Sequence, residues 1–125
     1  MKKTIVIACL ASFTLGVNAN TISSSTRISV LHGKVRTETF KVYGNCGMCE
    51  STIEGSLKNV KGIKSVDWNK ETKMITVNFD SEKISLLKIK KKITSVGYDT
   101  EEFRATQKAY NSLPGCCQYE RPKSK

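Results

Sequence analysis

The chain has 125 residues, of which 38% are hydrophobic, and it carries a formal net charge of +10 at pH 7. This length suits one small domain with tails and argues against a multidomain protein. A basic surface can meet nucleic acid, anionic lipid or an acidic protein. The densest basic run, KIKKKI at 88–93, has no interleaved aromatic residues, so we do not expect nucleic acid to be a partner.

The beginning of the chain has the three parts of a secretory signal peptide. Two lysines precede an apolar run from Ile5 to Val17, and small residues follow as far as Ala19. Residues 1–19 are therefore predicted to be removed after Ala19. A membrane anchor is the alternative, but the apolar run is shorter than the roughly 20 residues that span a bilayer. We expect export, to a bacterial periplasm, with no membrane span in the mature chain.

The next two regions differ in composition. Residues 20–36 are rich in Ser and Thr and predict a flexible leader. The domain at 37–103 begins with the alternating stretch TETFKVY (37–43), which is typical of a strand. A helix is predicted after the following loop, because apolar residues recur at helical spacing until Gly62 ends the pattern. These residues are Cys49, Ile53, Leu57 and Val60.

A second group of elements has the same order without a sequence repeat. Strands are predicted at IKSVDW (63–68) and MITVNF (74–79). Ser85 can cap a second helix that ends at Gly97, and DTEEF (99–103) predicts a weaker fourth strand. The order β-α-β, then β-α-β, predicts an α+β, ferredoxin-like fold. Such a fold has a four-stranded antiparallel sheet with both helices on one face.

The predicted second helix carries the KIKKKI run. Lysines in its last turns suit the negative end of the helix dipole, and such runs usually form a solvated helix face. The same charges can instead steer an acidic partner toward the domain. Both interpretations place these lysines in solvent.

Two cysteines stand three residues apart in the stretch YGNCGMCE (43–50). Cys46 is predicted in the loop and Cys49 in the first turn of the helix. The unpaired N–H groups and partial positive charge of a helix N-terminus lower the pKa of a thiol. Thiolates are soft ligands that suit Cu(I). Gly44 and Gly47 allow the loop to fold closely around an ion.

Four segments of the chain carry a resemblance to a known family. They are GNCGMCESTIE (44–54), VKGIKSVDWN (60–69), ITVNFD (75–80) and SVGYDTE (95–101). Together they resemble the heavy-metal-associated domain, which is shared by copper chaperones, metal-binding domains of copper-exporting ATPases and the periplasmic mercury-binding protein. The resemblance covers residues 37–103.

The resemblance implies a metal site at the cysteine pair. Cys46 and Cys49 would bind the ion, and Tyr98, just after the second helix, would lie near it in support. The family's methionine usually precedes the pair, whereas Met48 stands inside it. Met48 is then either a thioether beside the ion or a plug of the loop or the core. Zinc-binding members tend to carry an acid before the first cysteine, so the neutral Asn45 favours a monovalent soft ion.

Residues 104–125 form a C-terminal extension beyond the resemblance. A short helix is predicted around residues 106–111, and Pro114 ends it before Cys116 and Cys117. At ~3.3 Å per extended residue, this tail can return to the cysteine loop. Cys116 and Cys117 are therefore candidates for auxiliary metal ligands or for a redox role. They are equally candidates for disulfides, and the four mature cysteines allow three complete pairings.

These features predict an exported protein that sequesters or transfers Cu(I) by ligand exchange. An Hg(II)-binding protein of the same fold is one alternative, with Zn(II) a further candidate ion. A thiol-disulfide redox protein is another, although both prolines of the chain lie in the tail. The expected partners are the metal ion and a copper-transporting ATPase or another thiol-bearing acceptor. The sequence contains no Ser-His-Asp set, paired carboxylate site or phosphate loop, so we do not expect an enzyme.

Overall fold

A computed structural model describes residues 34–123 of the chain. The predicted signal peptide (1–19) and residues 20–33 of the predicted leader lie outside the described residues. None of the helices found within residues 34–123 combines the length and the apolar character that a membrane span requires.

Three antiparallel strands form the sheet, in the order β1-β3-β2. They are β1 (Val35–Lys41), β2 (Ile63–Trp68) and β3 (Met74–Asp80). Strand β1 begins earlier than the predicted strand at 37–43, whereas β2 has the predicted bounds. Phe40 of β1 and Trp68 of β2 both lie opposite Ile75 of β3, and all three side chains are buried. One face of the sheet is therefore apolar.

Two helices share a single core with that apolar face. They are α1 (Gly47–Lys58) and α2 (Leu86–Ser95). The Ser85 hydroxyl caps α2 by accepting a hydrogen bond from the Lys88 N–H. Full burial of one large apolar side chain contributes about 1.5–3 kcal/mol. The apolar side chains that the helices bury are Cys49, Ile53 and Leu57 of α1 and Ile89 and Ile93 of α2.

The predicted fourth strand at 99–103 is not confirmed. Its pairing with the sheet edge is confined to one bridge between Val42 and Thr100. The chain then turns, because the Thr100 N–H donates to the Phe103 carbonyl at 2.8 Å and the Phe103 N–H donates to the Thr100 hydroxyl at 2.9 Å. The described residues therefore form an α+β fold with three strands and one bridge.

Lys90 departs from the predicted solvated face of α2. It is 3% exposed, although Lys88, Lys91 and Lys92 are exposed as expected. The Lys90 ammonium lies 4.8 Å from the centroid of the Phe40 ring and 2.7 Å from a carboxylate oxygen of Glu102. Lys90 follows Leu86 by one helical turn and so falls on the inward side. Its charge is paired locally and is not available to a partner.

Residues 104–123 form a C-terminal arm that packs against the end of α2. The arm contains helix α3 (Gln107–Asn111), which confirms the predicted short helix, and a 3₁₀ turn at Gly115–Cys117. The close approach requires glycine at position 97, where φ is +104°. A Cβ atom at that position would lie 2.8 Å from the Ala109 carbonyl oxygen and 2.9 Å from the Leu113 side chain.

Candidate metal centre

Helix α1 begins at the two cysteines of the loop. Cys46 is its N-cap in an extended conformation, with φ −146° and ψ 171°, and Cys49 lies in its first turn. Their Sγ atoms are 3.3 Å apart. Cys49 is buried, whereas Cys46 is partly exposed. The predicted placement of the two thiols at the start of a helix is confirmed.

The loop before α1 rests on the indole ring of Trp68. A Cβ atom at Gly44 would lie 3.0 Å from that ring and 3.2 Å from the Cβ atom of Cys49. The ring is itself fixed, because Trp68 Nε1 donates to the Val42 carbonyl at 3.1 Å. The loop backbone therefore packs against a fixed indole ring, and glycine at position 44 permits this close contact because it has no side chain.

The start of the helix favours the thiolate of Cys46. A hydrogen bond from the Cys49 N–H, followed by contact with the Cys49 thiol, lowers the pKa of Cys46 to about 7. Partial burial opposes this shift, while the Cys117 thiol and the Met48 N–H add to it. The lowered pKa makes the Cys46 thiolate accessible near neutral pH, so the metal-free chain can present a soft anionic ligand.

Asn45 makes two polar contacts with the thiol of Cys49, the second cysteine of the pair. Its backbone N–H donates to Cys49 Sγ at 3.5 Å, and Cys49 Sγ lies 3.1 Å from the amide oxygen Oδ1 of Asn45 as a donor. Sequence reasoning used Asn45 only for its lack of charge and missed this contact. Its position one turn before Cys49, in the same loop, was the available signal.

The C-terminal arm brings two more thiols to the same place. Cys117 is buried, with Sγ 3.8 Å from Cys46 Sγ, and Cys116 Sγ lies 3.9 Å from Cys117 Sγ. Met48 is 53% exposed, which excludes a plug of the core, and its Sδ lies 3.9 Å from Cys116 Sγ. We call these five residues the sulfur cluster. Its members are Cys46, Met48, Cys49, Cys116 and Cys117.

Tyr98 lies fully buried beside the cluster. Burial, followed by the neighbouring thiols of Cys49 and Cys117, raises the pKa of Tyr98 above its usual value. Burial also raises the pKa of Cys117 to about 12, and the Tyr98 hydroxyl acts against that shift. Among the described residues, the Tyr98 hydroxyl has no hydrogen-bond partner. Buried hydroxyl groups usually have a hydrogen-bond partner, so the Tyr98 hydroxyl is free to donate to an acceptor.

A buried ion pair fixes the arm to the domain. The Asp99 carboxylate is fully buried and accepts hydrogen bonds from Arg121 Nε at 2.8 Å and from the second guanidinium nitrogen at 2.6 Å. The Ala105 N–H also donates to it, at 2.7 Å. The Tyr119 hydroxyl accepts from the Asp99 N–H at 2.7 Å and donates to the Gly97 carbonyl at 3.0 Å. We call Asp99, Arg121 and Tyr119 the arm latch.

The part of the chain that contains the Cys46–Cys49 pair matches a known protein family. The sequence profile of the heavy-metal-associated domain matches residues 39–99. The copper chaperone CopZ of Staphylococcus aureus strain JH9 is 36% identical over 55 residues, which is 44% of this chain and 81% of that protein. The chain belongs to the heavy-metal-associated domain family. The resemblance seen in the sequence is thereby confirmed.

Solved structures agree with the heavy-metal-associated fold. The crystal structure of oxidized MerP from Ralstonia metallidurans CH34 matches with a TM-score of 0.51 and 32% identity, covering 54% of this chain and 94% of MerP. A copper-binding domain from HMA7, a P-type ATPase, matches with a TM-score of 0.51 and 27% identity, covering 53% and 90% respectively. The family profile ends at Asp99, so the arm and its two cysteines lie beyond it.

Proposed function

We propose that the chain is an exported Cu(I)-binding protein that sequesters the ion or transfers it through Cys46 and Cys49. The observation that carries this proposal is the pair of thiols 3.3 Å apart at the start of α1. The helix N-terminus favours negative charge at this point, and the pKa of Cys46 is about 7. A soft ion therefore meets a thiolate at neutral pH.

The chemistry of the pair favours a soft monovalent ion. Thiolates select Cu(I) over hard cations, and the neutral amide of Asn45 adds no negative charge beside Cys49. Similarity to the copper chaperone CopZ supports Cu(I). Similarity to MerP supports Hg(II) as a second candidate.

Transfer would proceed by ligand exchange and would need no catalytic residue. Cys46 is partly exposed, so a thiolate of an acceptor can bond to the ion there while Cys49 still holds it. The resulting three-thiolate intermediate then releases Cys46, and a second thiolate of the acceptor displaces Cys49. Relative affinity sets the direction of transfer. Similarity to a copper-binding domain of a P-type ATPase supports a copper-transporting ATPase, or another protein with paired thiols, as the acceptor.

Export to the periplasm remains part of the proposal, and it rests on the sequence of residues 1–19. The mass of the protein recovered from cells tests it directly. A chain that begins at Asn20 is expected, and a chain that keeps residues 1–19 would contradict cleavage.

Metal binding is tested by native mass spectrometry of the reduced chain, titrated in parallel with Cu(I), Hg(II) and Zn(II). We expect Cu(I) to stay bound when the chelator bathocuproine disulfonate competes for it. The double variant Cys46→Ser/Cys49→Ser should lose this retention. Ser51→Ala is the matched control, because its hydroxyl only bonds the Gly47 carbonyl in the same turn. Undiminished retention in the double variant would refute the proposed site.

A further inference from the structure

The arm and the loop together form a second set of thiols. The Sγ atoms of Cys46, Cys116 and Cys117 all lie within 4.8 Å of one another. We call these three residues the thiol trio. Cys46 belongs both to the trio and to the pair that it forms with Cys49. The two sets therefore overlap at one sulfur atom.

The trio has the spacing that one bound ion requires. At a metal–sulfur distance of about 2.3 Å, three sulfur atoms in a trigonal plane lie about 4.0 Å apart. The distances from Cys117 Sγ to Cys46 Sγ and to Cys116 Sγ are 3.8 Å and 3.9 Å. The Cys46–Cys49 distance of 3.3 Å is shorter, so an ion bound by that pair must first spread it. Two of the three sulfur–sulfur distances of the trio therefore already match, and the third lies within 4.8 Å.

A buried hydroxyl without a partner points to the same site. Tyr98 is fully buried beside Cys49 and Cys117. Its hydroxyl has no hydrogen-bond partner among residues 34–123. Such a group normally has a partner. A metal-bound thiolate is a strong acceptor, and hydrogen bonds to ligand atoms are a usual support of metal sites. An ion bound at Cys117 would therefore give Tyr98 an acceptor, as would an ion bound at Cys49.

The two arm thiols are held in place by the fold. The arm latch fixes the chain shortly after Cys117, where Arg121 makes two hydrogen bonds to the buried Asp99 carboxylate. The Tyr119 ring stacks on the Tyr98 ring with centroids 5.8 Å apart. The Cys117 N–H donates to the Pro114 carbonyl at 2.8 Å. Ligands that are positioned in advance lose little freedom when an ion binds.

We propose that the thiol trio is a second Cu(I) site, in which an ion received at the Cys46–Cys49 pair is retained. The proposal rests on the proposed function, because the ion arrives at Cys46. The bond from the ion to Cys49 breaks as a bond to Cys117 forms, and Cys116 completes three-coordination. Each thiol that binds releases its proton, Cys49 takes one up, and the oxidation state of copper is unchanged.

Retention follows from the number of ligands. A two-coordinate ion is open to attack by any competing thiol, whereas three sulfur atoms leave less room for one. The arm therefore converts a site for handover into a site that releases Cu(I) slowly. An acceptor must displace Cys116, which is the exposed member of the trio.

Four single variants of the reduced full chain test this proposal: Cys46→Ser, Cys49→Ser, Cys116→Ser and Cys117→Ser. Each is loaded with one equivalent of Cu(I), and X-ray absorption counts the sulfur neighbours of the ion. Loss of Cu(I) to bathocuproine disulfonate is then followed with time. Cys116 is exposed, so its replacement leaves the core intact even if the Cys117 variant folds poorly.

We expect three sulfur neighbours in the unaltered chain and in Cys49→Ser, and fewer in Cys116→Ser and Cys117→Ser. The latter two should lose Cu(I) at least about tenfold faster, a change typical of weakened metal sites. Cys46→Ser should lose it fastest, because Cys46 serves both sets. If Cys116→Ser and Cys117→Ser match the unaltered chain, the trio is refuted while the pair stands. If the unaltered chain retains no Cu(I), the proposed function itself fails.

Discussion

The family domain and the C-terminal arm each bring two thiols to the sulfur cluster, but different interactions hold them. Residues 39–99 place Cys46 and Cys49 on a helix start that is anchored by an apolar core, with Ile53 and Leu57 fully buried one and two turns on. The arm shares that core through Leu113, Cys117 and Tyr119, and a buried ion pair and tyrosine hydroxyl groups hold it as well. Apolar packing is non-directional, whereas hydrogen bonds fix both distance and orientation.

This difference predicts that the Cys46–Cys49 half of the sulfur cluster keeps its position more persistently than the half contributed by the arm. The pair should persist as long as the domain is folded, because removing it means unfolding the core. The arm thiols depend in addition on polar contacts, which single substitutions can break while the sheet and α1 keep their own packing. Substitutions at those contacts should therefore separate the two regions.

The largest separation is expected from Arg121→Ala. It leaves the fully buried Asp99 carboxylate without its cation, and removal of one partner of a buried pair typically costs about 3–5 kcal/mol. We expect the cost to appear as arm detachment, with faster hydrogen exchange at residues 104–123 and unchanged protection in α1 and β3. Arg104→Ala is the matched control, since that guanidinium is exposed and, within residues 34–123, bonds only the Pro122 carbonyl. Equal loss of protection in the arm and in the core would show that the two regions unfold as one.

Alanine substitutions at two glycines, one beside the arm and one in α1, should change the free energy of unfolding in opposite directions. Gly97→Ala places a Cβ atom 2.8 Å from the Ala109 carbonyl oxygen at a φ of +104°, and we expect a loss of about 2–3 kcal/mol in the free energy of unfolding. Gly55→Ala lies in α1, where no atom outside the neighbouring helix backbone comes within 4 Å of the new Cβ, and should gain about 0.5–1 kcal/mol. Urea denaturation of both variants measures the difference. A neutral Gly97→Ala would mean that the arm does not pack tightly there.

The smallest effect is expected at Tyr98, which lies where the family domain meets the arm. Tyr98→Phe removes a buried hydroxyl that has no partner among the described residues, so the metal-free chain should gain about 1 kcal/mol. Its retention of Cu(I) should weaken, because the ion-bound thiolate of Cys117 loses a donor. Tyr110→Phe, whose hydroxyl donates to the Tyr119 carbonyl at 2.7 Å, should instead lose about 1 kcal/mol. Thermal unfolding without and with Cu(I) distinguishes them, and a destabilised metal-free Tyr98→Phe would contradict the unpaired hydroxyl.

Local patterns in the sequence predicted most of the domain. Apolar spacing predicted both long helices and β2, and the glycine-rich loop predicted the start of α1 at the cysteine pair. The position of the arm was not predictable, because Asp99 and Arg121 are 22 residues apart and nothing local pairs them. The weak fourth strand at 99–103 was not confirmed, for a local reason. Bonds between Thr100 and Phe103 close a turn where the residue types alone suggested extension.

The position of Trp68 has a consequence for how the metal centre can be observed. It is the single tryptophan of the chain, and a side chain at Gly44 would touch both its ring and Cys49. Its fluorescence therefore originates next to the thiols, with no other indole to obscure it. Binding of a heavy, polarisable ion within van der Waals range of the loop should quench this emission. The protein thus carries an intrinsic optical reporter of its own loading, which makes rapid-mixing kinetics accessible without a label.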